Sequence, residues 1–334
     1  MKILIIGLGS IGKRHLKTLT NLKKKIGYSS INVFDTNPNR YKEISTYKVD
    51  IFPSLKESLK NVSVVFICVS TSAHIKVYNE ISSFGKFHIF LEKPMSHTLD
   101  GCSEMLSLQK KIKKKLVLGY MLRFHPVLQE VKKYLKKGTI GKVLSVRAES
   151  GFYLPFWHPW ENYRDFYMSS KAGGGGVLLD TSHELDYLCW LFGQVETVQG
   201  TFGKISNLDI TSDDFASAIL KFKNGIVGEV HLDLLQPEES RYVKIIGSKG
   251  VLIGDLNNKT VKFNSTKNQN WITKKILVNF DKIYNEELIN FFKYISKGKK
   301  SEINENDAYH VMELIEAVRR SSAYGVKINL PIYD

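Results

Sequence analysis

Two stretches of this chain have the residue types and spacing to do chemistry on a small molecule. In Glu92-Lys93-Pro94, two opposite charges and a proline end the apolar run Phe87–Leu91. Proline has no N–H to continue a sheet ladder, so the strand stops where the charges begin. Neighbours on a strand point to opposite faces, which sets Glu92 and Lys93 apart. A surface ion pair between them would contribute little, whereas a lysine at a strand end can donate to a reacting oxygen. Lys93 is the first catalytic candidate, with Glu92 a separate support.

The second stretch runs from Gly173-Gly174-Gly175-Gly176 through Asp180, His183, Glu184, Leu185 and Asp186. Four glycines leave a backbone that something approaches closely, and a helix is expected after them. Leu185, Leu188, Cys189 and Phe192 form its apolar stripe at i, i+3, i+4, i+7 spacing. At about 100° per residue, Asp180, His183 and Tyr187 fall together on the other side. An acid beside a histidine, off the packing face, sets its tautomer and stabilises its protonated form. A lone histidine is more often structural; this one has company, so His183 and Asp180 join Lys93 as catalytic candidates.

A third pattern, Gly7-Leu8-Gly9-Ser10-Ile11-Gly12, follows an expected strand and opens an expected helix. In that context the first glycine permits a tight turn, the second admits a pyrophosphate and the third lets helix and strand pack closely. The backbone N–H groups of Ser10 and Ile11 would face the phosphates. Asp35 ends the second strand, about 20 residues on, where an acid accepts from ribose hydroxyls. Asp35 favours NAD over NADP, and Arg40 close behind keeps NADP as the alternative. Ligands gather at the carboxyl ends of parallel strands. That rule adds Ser70, Thr71 and His74 after one strand, and Glu92 and Lys93 after the next, to the cofactor set.

Substrate contacts are expected from Tyr120, Arg123 and His125, from the aromatic loop with Trp157, Trp160, Tyr163 and Arg164, and from Tyr187. Aromatic rings stack on sugar faces, and arginines suit a carboxylate or phosphate. The competing reading makes Phe156, Trp157 and Trp160 core or interface residues. No metal is expected, because His125, His158 and His183 lack close ligand spacing.

The elements that must hold these groups alternate over the first 120 residues. Strands are expected at Lys2–Ile6, Ile31–Phe34, Val62–Val69, Phe87–Leu91 and Leu116–Tyr120, with helices at Ile11–Leu22, Pro38–Tyr47, Ala73–Phe84 and Leu99–Lys113. Apolar nearly throughout, such strands belong in a parallel sheet covered on both faces. Beyond residue 121 the spacing changes to hairpins. Phe215–Phe222 and Ile226–Leu234 flank Asn224-Gly225, a type I′ turn signal, and Tyr242–Ile246 and Val251–Asp255 flank another turn. Helices at Asn285–Ser296 and Asn306–Ser321 close the chain. The fold class is an α/β Rossmann domain over 1–121, then an α+β domain over 122–334 with an open-faced, mostly antiparallel sheet. The last helix is expected to pack back on the first domain.

The 334 residues are 43% hydrophobic and 24% charged, an ordinary globular composition. Three cysteines at 68, 102 and 189 form no CxxC pair, so neither disulfides nor zinc are expected and a reducing cytoplasm fits. No apolar run is long enough for a membrane span. The net charge of +15 comes from lysine runs at 23–25, 110–115, 132–137 and 297–300. They sit at or near expected helix ends, where cations suit the dipole and water solvates them, which argues against nucleic acid.

The glycine pattern, Glu92-Lys93-Pro94 and the glycine run leading to Asp180 and His183-Glu184-Leu185-Asp186 together resemble the glucose–fructose oxidoreductase / inositol dehydrogenase / MocA family. Ser212-Asp213-Asp214-Phe215 and Ile246-Gly247-Ser248-Lys249-Gly250 extend the likeness over the whole chain. The resemblance implies an NAD(P)-dependent oxidoreductase of a hydroxyl or carbonyl on a sugar, cyclitol or nucleotide-linked sugar. It implies that Lys93 is the catalytic lysine, His183 the acid/base and Asp180 its supporting acid, although many members place three residues, not two, between those last positions. A homodimer or homotetramer through the second-domain sheet is also implied. The aromatic loop and Ser182-His183-Glu184 resemble members from bacterial surface-glycan pathways. An NAD-dependent glycosidase with transient oxidation, and a non-catalytic cofactor-binding regulator, are the rival readings.

Overall fold

The computed structural model describes residues 1–298, 301–303 and 305–332; Lys299 and Lys300 of the last lysine run lie outside them. The chain forms two compact units, residues 1–121 with 280–309, and residues 122–279 with 310–334.

In the first unit, strands β1 (Lys2–Ile6), β2 (Ser30–Phe34), β3 (Asp50–Ile51), β4 (Val62–Ile67), β5 (His88–Leu91) and β6 (Leu116–Leu118) make one parallel sheet. Its order is β3-β2-β1-β4-β5-β6, so the winding reverses between β1 and β4, the crevice at which such folds bind ligands. Ile3 to Ile6, Val64 to Ile67 and Ile89 to Leu91 are all buried, as strands covered on both faces require.

The intervening helices are α1 (Ser10–Ile26), α2 (Asn39–Lys42), α3 (Leu55–Ser58), α4 (His74–Phe84) and α5 (Cys102–Lys111). The helix expected over Pro38–Tyr47 is thus a single turn. Only Ile44 of residues 43–47 is buried, and a helix with no apolar stripe has little to hold it. The last turns of α1 and α5 carry Lys23 to Lys25 and Lys110 with Lys111, where cations suit the helix dipole.

In the second unit, α6 (Pro126–Lys136) precedes β7 (Val143–Gly151), and α7 (Leu154–Trp157), α8 (Val177–Asp180) and α9 (His183–Phe192) precede β8 (Val195–Gly203). Then come β9 (Phe215–Phe222), β10 (Val227–Asp233), β11 (Ser240–Gly247), β12 (Gly250–Asp255), β13 (Thr260–Ser265) and β14 (Asn268–Lys275). Helices α10 (Phe280–Lys297) and α11 (Glu305–Tyr324) follow, with β15 (Ile328–Asn329) last. The nine-stranded sheet runs β14-β13-β12-β11-β7-β10-β9-β8-β15. All pairs are antiparallel except β7 with β10.

The penultimate helix returns to the first unit, and the last helix begins there. Arg14 of α1 bonds Asp281 at 2.6 Å, and Phe291 packs on Phe66 and Phe90 with ring centroids 5.9 and 5.5 Å apart. From His310 on, α11 belongs to the second unit, where Val195 N–H donates to His310 Nε2 and Gly200 N–H to Ser321 Oγ.

The β9–β10 connection is not a type I′ turn. Gly225 has φ +86° but Asn224 is not in the left-handed region, and type I′ needs both. Instead Gly225 N–H donates to Phe222 O, and Phe222 N–H to Ile226 O, closing a three-residue loop. Asn224 Nδ2 donates to Phe192 O, so the asparagine pins the end of α9.

Candidate active site

The cofactor candidates lie on the carboxyl edge of the parallel sheet. Gly7, after β1, has φ +90°, and a Cβ there would meet Cys68 O at 2.5 Å; a Cβ on Gly12 would meet Gly7 O at 1.9 Å. A Cβ on Gly9 would meet nothing within 4 Å. Two glycines are therefore required by close packing, and the middle one borders open space in front of α1. Gly9 is the N-cap of that helix, with no side-chain cap bond and no acid in the first turn. The N–H groups at Ser10 and Ile11 are presented as an anion site requires.

Asp35 follows β2. Its carboxylate accepts from Leu8 N–H at 2.6 Å and Asn37 N–H at 2.7 Å, which ties it to the glycine turn and leaves acceptor capacity on both oxygens. Arg40, on α2, is half-buried. Ser70 is exposed and Thr71 buried at the short turn after β4. His74 is buried. Its Nδ1 lies 2.9 Å from Pro94 O and its Nε2 3.2 Å from Val69 O. Burial pushes its pKa down against the pull of those carbonyls. His74 thus ties together the loops after β4 and β5. These residues fit a dinucleotide: open space at Gly9, uncapped helix N–H groups and an acid at the end of β2.

Lys93 is the second residue after β5. Beside it Glu92 is 8% exposed, its Oε1 2.5 Å from His15 Nε2 and its Oε2 3.3 Å from Lys93 N. Glu92 is a buried support under the Lys93 peptide. Tyr120, also expected at the substrate, is fully buried just beyond β6.

In the second unit, the helix expected across Asp180 and His183 is broken. Thr181 has φ −96° and ψ 23°, and its Oγ1 donates to Val177 O at 2.5 Å. Such back-bonding by threonine bends helices. Asp180 therefore ends α8, His183 begins α9, and the 100° count does not carry across the break. Both faces of α9 are covered early on, since His183 to Leu188 are all buried, so these groups do not stand off a packing face. Asp180 Oδ1 accepts from Tyr167 Oη, a residue that no periodicity in the sequence singles out.

Two arginines neutralise the other acids of this stretch. Arg241 donates from Nε and Nη2 to the two oxygens of Glu184 at 2.7 and 3.0 Å. Arg123 donates from Nη2 to Asp186 Oδ1 at 2.7 Å and from Nε to Oδ2 at 2.9 Å, with both side chains buried. The substrate contact expected of Arg123 is thereby replaced by a structural ion pair. Removing one member of such a pair leaves an uncompensated charge and costs about 3–5 kcal/mol. Arg123→Ala is expected to lower the midpoint of thermal unfolding steeply; full stability with a raised KM would restore the substrate role.

His125, likewise buried, caps α6 by accepting Val127 N–H at Nδ1. Burial, Arg241 and Lys259 push its pKa to about 4, which keeps the ring neutral and able to accept. Tyr187 is fully buried, and desolvation with Glu184 nearby raises its pKa well above the usual phenol value. The aromatic loop is open. Trp157 is 48% and Trp160 74% exposed, and His158 stacks between them with centroids 4.8 and 5.2 Å away. Arg164 lies over the Tyr163 ring and bonds Asp209 at 2.7 Å.

Among the described residues no group of three or more His, Cys, Asp or Glu could hold a metal ion, and no helix is long and apolar enough to cross a membrane.

Known proteins share the family and fold of this chain. Residues 1–120 match the family model described as an oxidoreductase family with an NAD-binding Rossmann fold, and residues 128–253 the GFO/IDH/MocA C-terminal domain. A myo-inositol 2-dehydrogenase of Thermotoga maritima is 26% identical over 96% of this chain and 96% of its own. Two solved structures share the fold. Levoglucosan dehydrogenase with NADH and levoglucosan has a TM-score of 0.87 at 18% identity, covering 99% of both chains. The WlbA dehydrogenase of Bordetella pertussis with NADH and UDP-GlcNAcA has a TM-score of 0.82 at 20% identity, covering 99% of this chain and 98% of that one. With its glycine turn, strand-end lysine and second-unit histidine, the chain belongs to the Gfo/Idh/MocA family and is an NAD(P)-dependent oxidoreductase.

Proposed function

We propose that this oxidoreductase interconverts a hydroxyl and a carbonyl on a sugar or nucleotide-linked sugar, with Lys93, His183 and Asp180 as its working groups. The observation that carries the reading is the position of Lys93, two residues past β5 and beside the buried Glu92. When bound, the nicotinamide supplies the redox partner. His183 takes the hydroxyl proton on oxidation and returns it on reduction. Lys93 donates a hydrogen bond to the same oxygen and offsets its developing negative charge. Asp180, oriented by the Tyr167 hydroxyl, holds the imidazole and stabilises its protonated form.

A nucleotide-linked or amino sugar of bacterial surface-glycan synthesis is the substrate class we favour. The stacked, exposed Trp157, His158 and Trp160 suit a sugar or base face, and WlbA, similar in fold, is described with UDP-GlcNAcA. The exposed Arg164–Asp209 pair is weak enough to exchange for a phosphate or carboxylate. We also propose a homo-oligomer through the open sheet face, where Ile219, Val227 and Ile246 are exposed around the Arg147–Glu229 pair. Cyclitols, hexoses, amino sugars and UDP-sugars, each with NAD and with NADP, form the testing panel. Reduction of NAD with a UDP-sugar or amino sugar is the expected result. Aglycone release without net change at the NADH absorbance would replace this reading by a glycosidase.

A further inference from the structure

Helix α1 buries a stripe of Gly12, His15, Leu16, Leu19 and Leu22. A histidine on that stripe is out of place among leucines unless something holds it. His15 is fully buried, with Phe66, Phe90 and Tyr284 rings around it at centroid distances of 5.5, 5.0 and 6.0 Å. Its Nδ1 has no hydrogen-bond partner. Its Nε2 lies 2.5 Å from Glu92 Oε1, so that nitrogen carries the proton and donates it to the carboxylate. The other carboxylate oxygen faces the peptide N–H of Lys93 at 3.3 Å.

The opposite wall is equally specific. A Cβ on Gly119, just past β6, would stand 2.8 Å from Oε1, 2.9 Å from Oε2 and 3.0 Å from the carboxyl carbon of Glu92. Gly119 is not in the left-handed region, so its backbone does not require glycine; the carboxylate does. One side of Glu92 is bonded by His15 and the other is left room by Gly119.

We propose that His15 is a positioning residue for Lys93. It fixes the Glu92 carboxylate, and that carboxylate fixes the peptide from which the Lys93 side chain reaches the substrate. The inference rests on the reading of Lys93 as catalytic. A bonded carboxylate keeps both its direction and its distance from the ammonium. Released from His15, the carboxylate is free to turn toward the Lys93 ammonium, and an anion brought closer to that ammonium favours its charged form.

The test uses the full chain with NAD bound and three variants: His15→Phe, His15→Gln and Gly119→Ala. Competitive labelling of lysines by acetic anhydride, read peptide by peptide by mass spectrometry, reports on Lys93 without any substrate. His15→Phe is expected to slow labelling of Lys93, relative to the other lysines, by on the order of threefold or more. With a sugar turned over in the panel, its kcat should fall on the order of 10- to 100-fold, as for a misplaced catalytic group, with KM and NAD affinity within about twofold. His15→Gln, which keeps an N–H at similar reach, should recover both quantities. Gly119→Ala should repeat the His15→Phe pattern by displacing the carboxylate sterically. Wild-type labelling of Lys93 in His15→Phe, or in Gly119→Ala where the phenylalanine variant does not fold, overturns the proposal. An active Lys93→Ala would instead remove the reading beneath it, while the labelling still reports whether His15 controls Lys93.

Discussion

Lys93→Ala is expected to lose turnover while still binding NAD. The loss should be at least on the order of 10²- to 10³-fold in kcat, the usual effect of deleting a donor that faces developing negative charge. Binding should survive because Lys93 is only one member of the cofactor set and the rest of the dinucleotide frame holds together without its side chain. The glycine turn, the start of α1 and Asp35 bond one another without it. Strand β5 is held from below by the Phe90–Phe66 stack, with centroids 4.9 Å apart, and Glu92 keeps its bond to His15. Lys93→Arg should not rescue, since a broad planar fork does not replace a compact ammonium. Steady-state absorbance at the NADH band gives kcat, and a calorimetric titration with NAD gives Kd. Appreciable turnover by Lys93→Ala would end its assignment.

The parts of this site that could be read from the sequence are those in which one residue type answers a local demand. β1 falls at Lys2–Ile6 as expected because its apolar run stops at a glycine. The strand before Glu92 is legible because proline terminates it. The glycine pattern and Asp35 are legible because backbone approach and an acid at a strand end each leave a compositional trace. What was not legible depends on partners distant in sequence. Arg123 looks like a substrate arginine until Asp186, 63 residues on, is found against it. β7 escapes notice because its alternation, with Arg147 and Glu149 on the open face, resembles a polar loop. Tyr167 lies in an irregular aromatic segment, and only the fold brings it to Asp180. His15 did leave a signal, a polar ring on the apolar stripe of α1, but its meaning needed Glu92.

His183→Ala is expected to be a comparably damaging change, on the order of 10²- to 10⁴-fold in kcat, the contribution of a positioned acid/base. Of the ionisable groups between Asp180 and Asp186, Glu184 and Asp186 each face an arginine and serve as counter-ions rather than proton carriers. Asp180 takes the Tyr167 hydroxyl instead, and His183 opens α9 just past the break at Thr181. With Asp180 at the end of one helix and His183, three positions on, at the start of the next, the pairing proposed for them does not rest on helical phase. A graded series follows. Asp180→Asn keeps the shape but removes the charge proposed to stabilise the imidazolium, and should cost less than loss of the ring. Tyr167→Phe removes only the hydrogen bond that orients Asp180 and should cost least, on the order of tenfold. Free imidazole added to His183→Ala should restore part of the rate, because the deleted ring leaves a space of its own shape in a buried setting. The series is read as kcat on the substrate found in the panel, with the unfolding midpoint checked for each variant. A His183→Ala protein that turns over at the wild-type rate, or an Asp180→Asn protein slower than it, would place the proton transfer elsewhere.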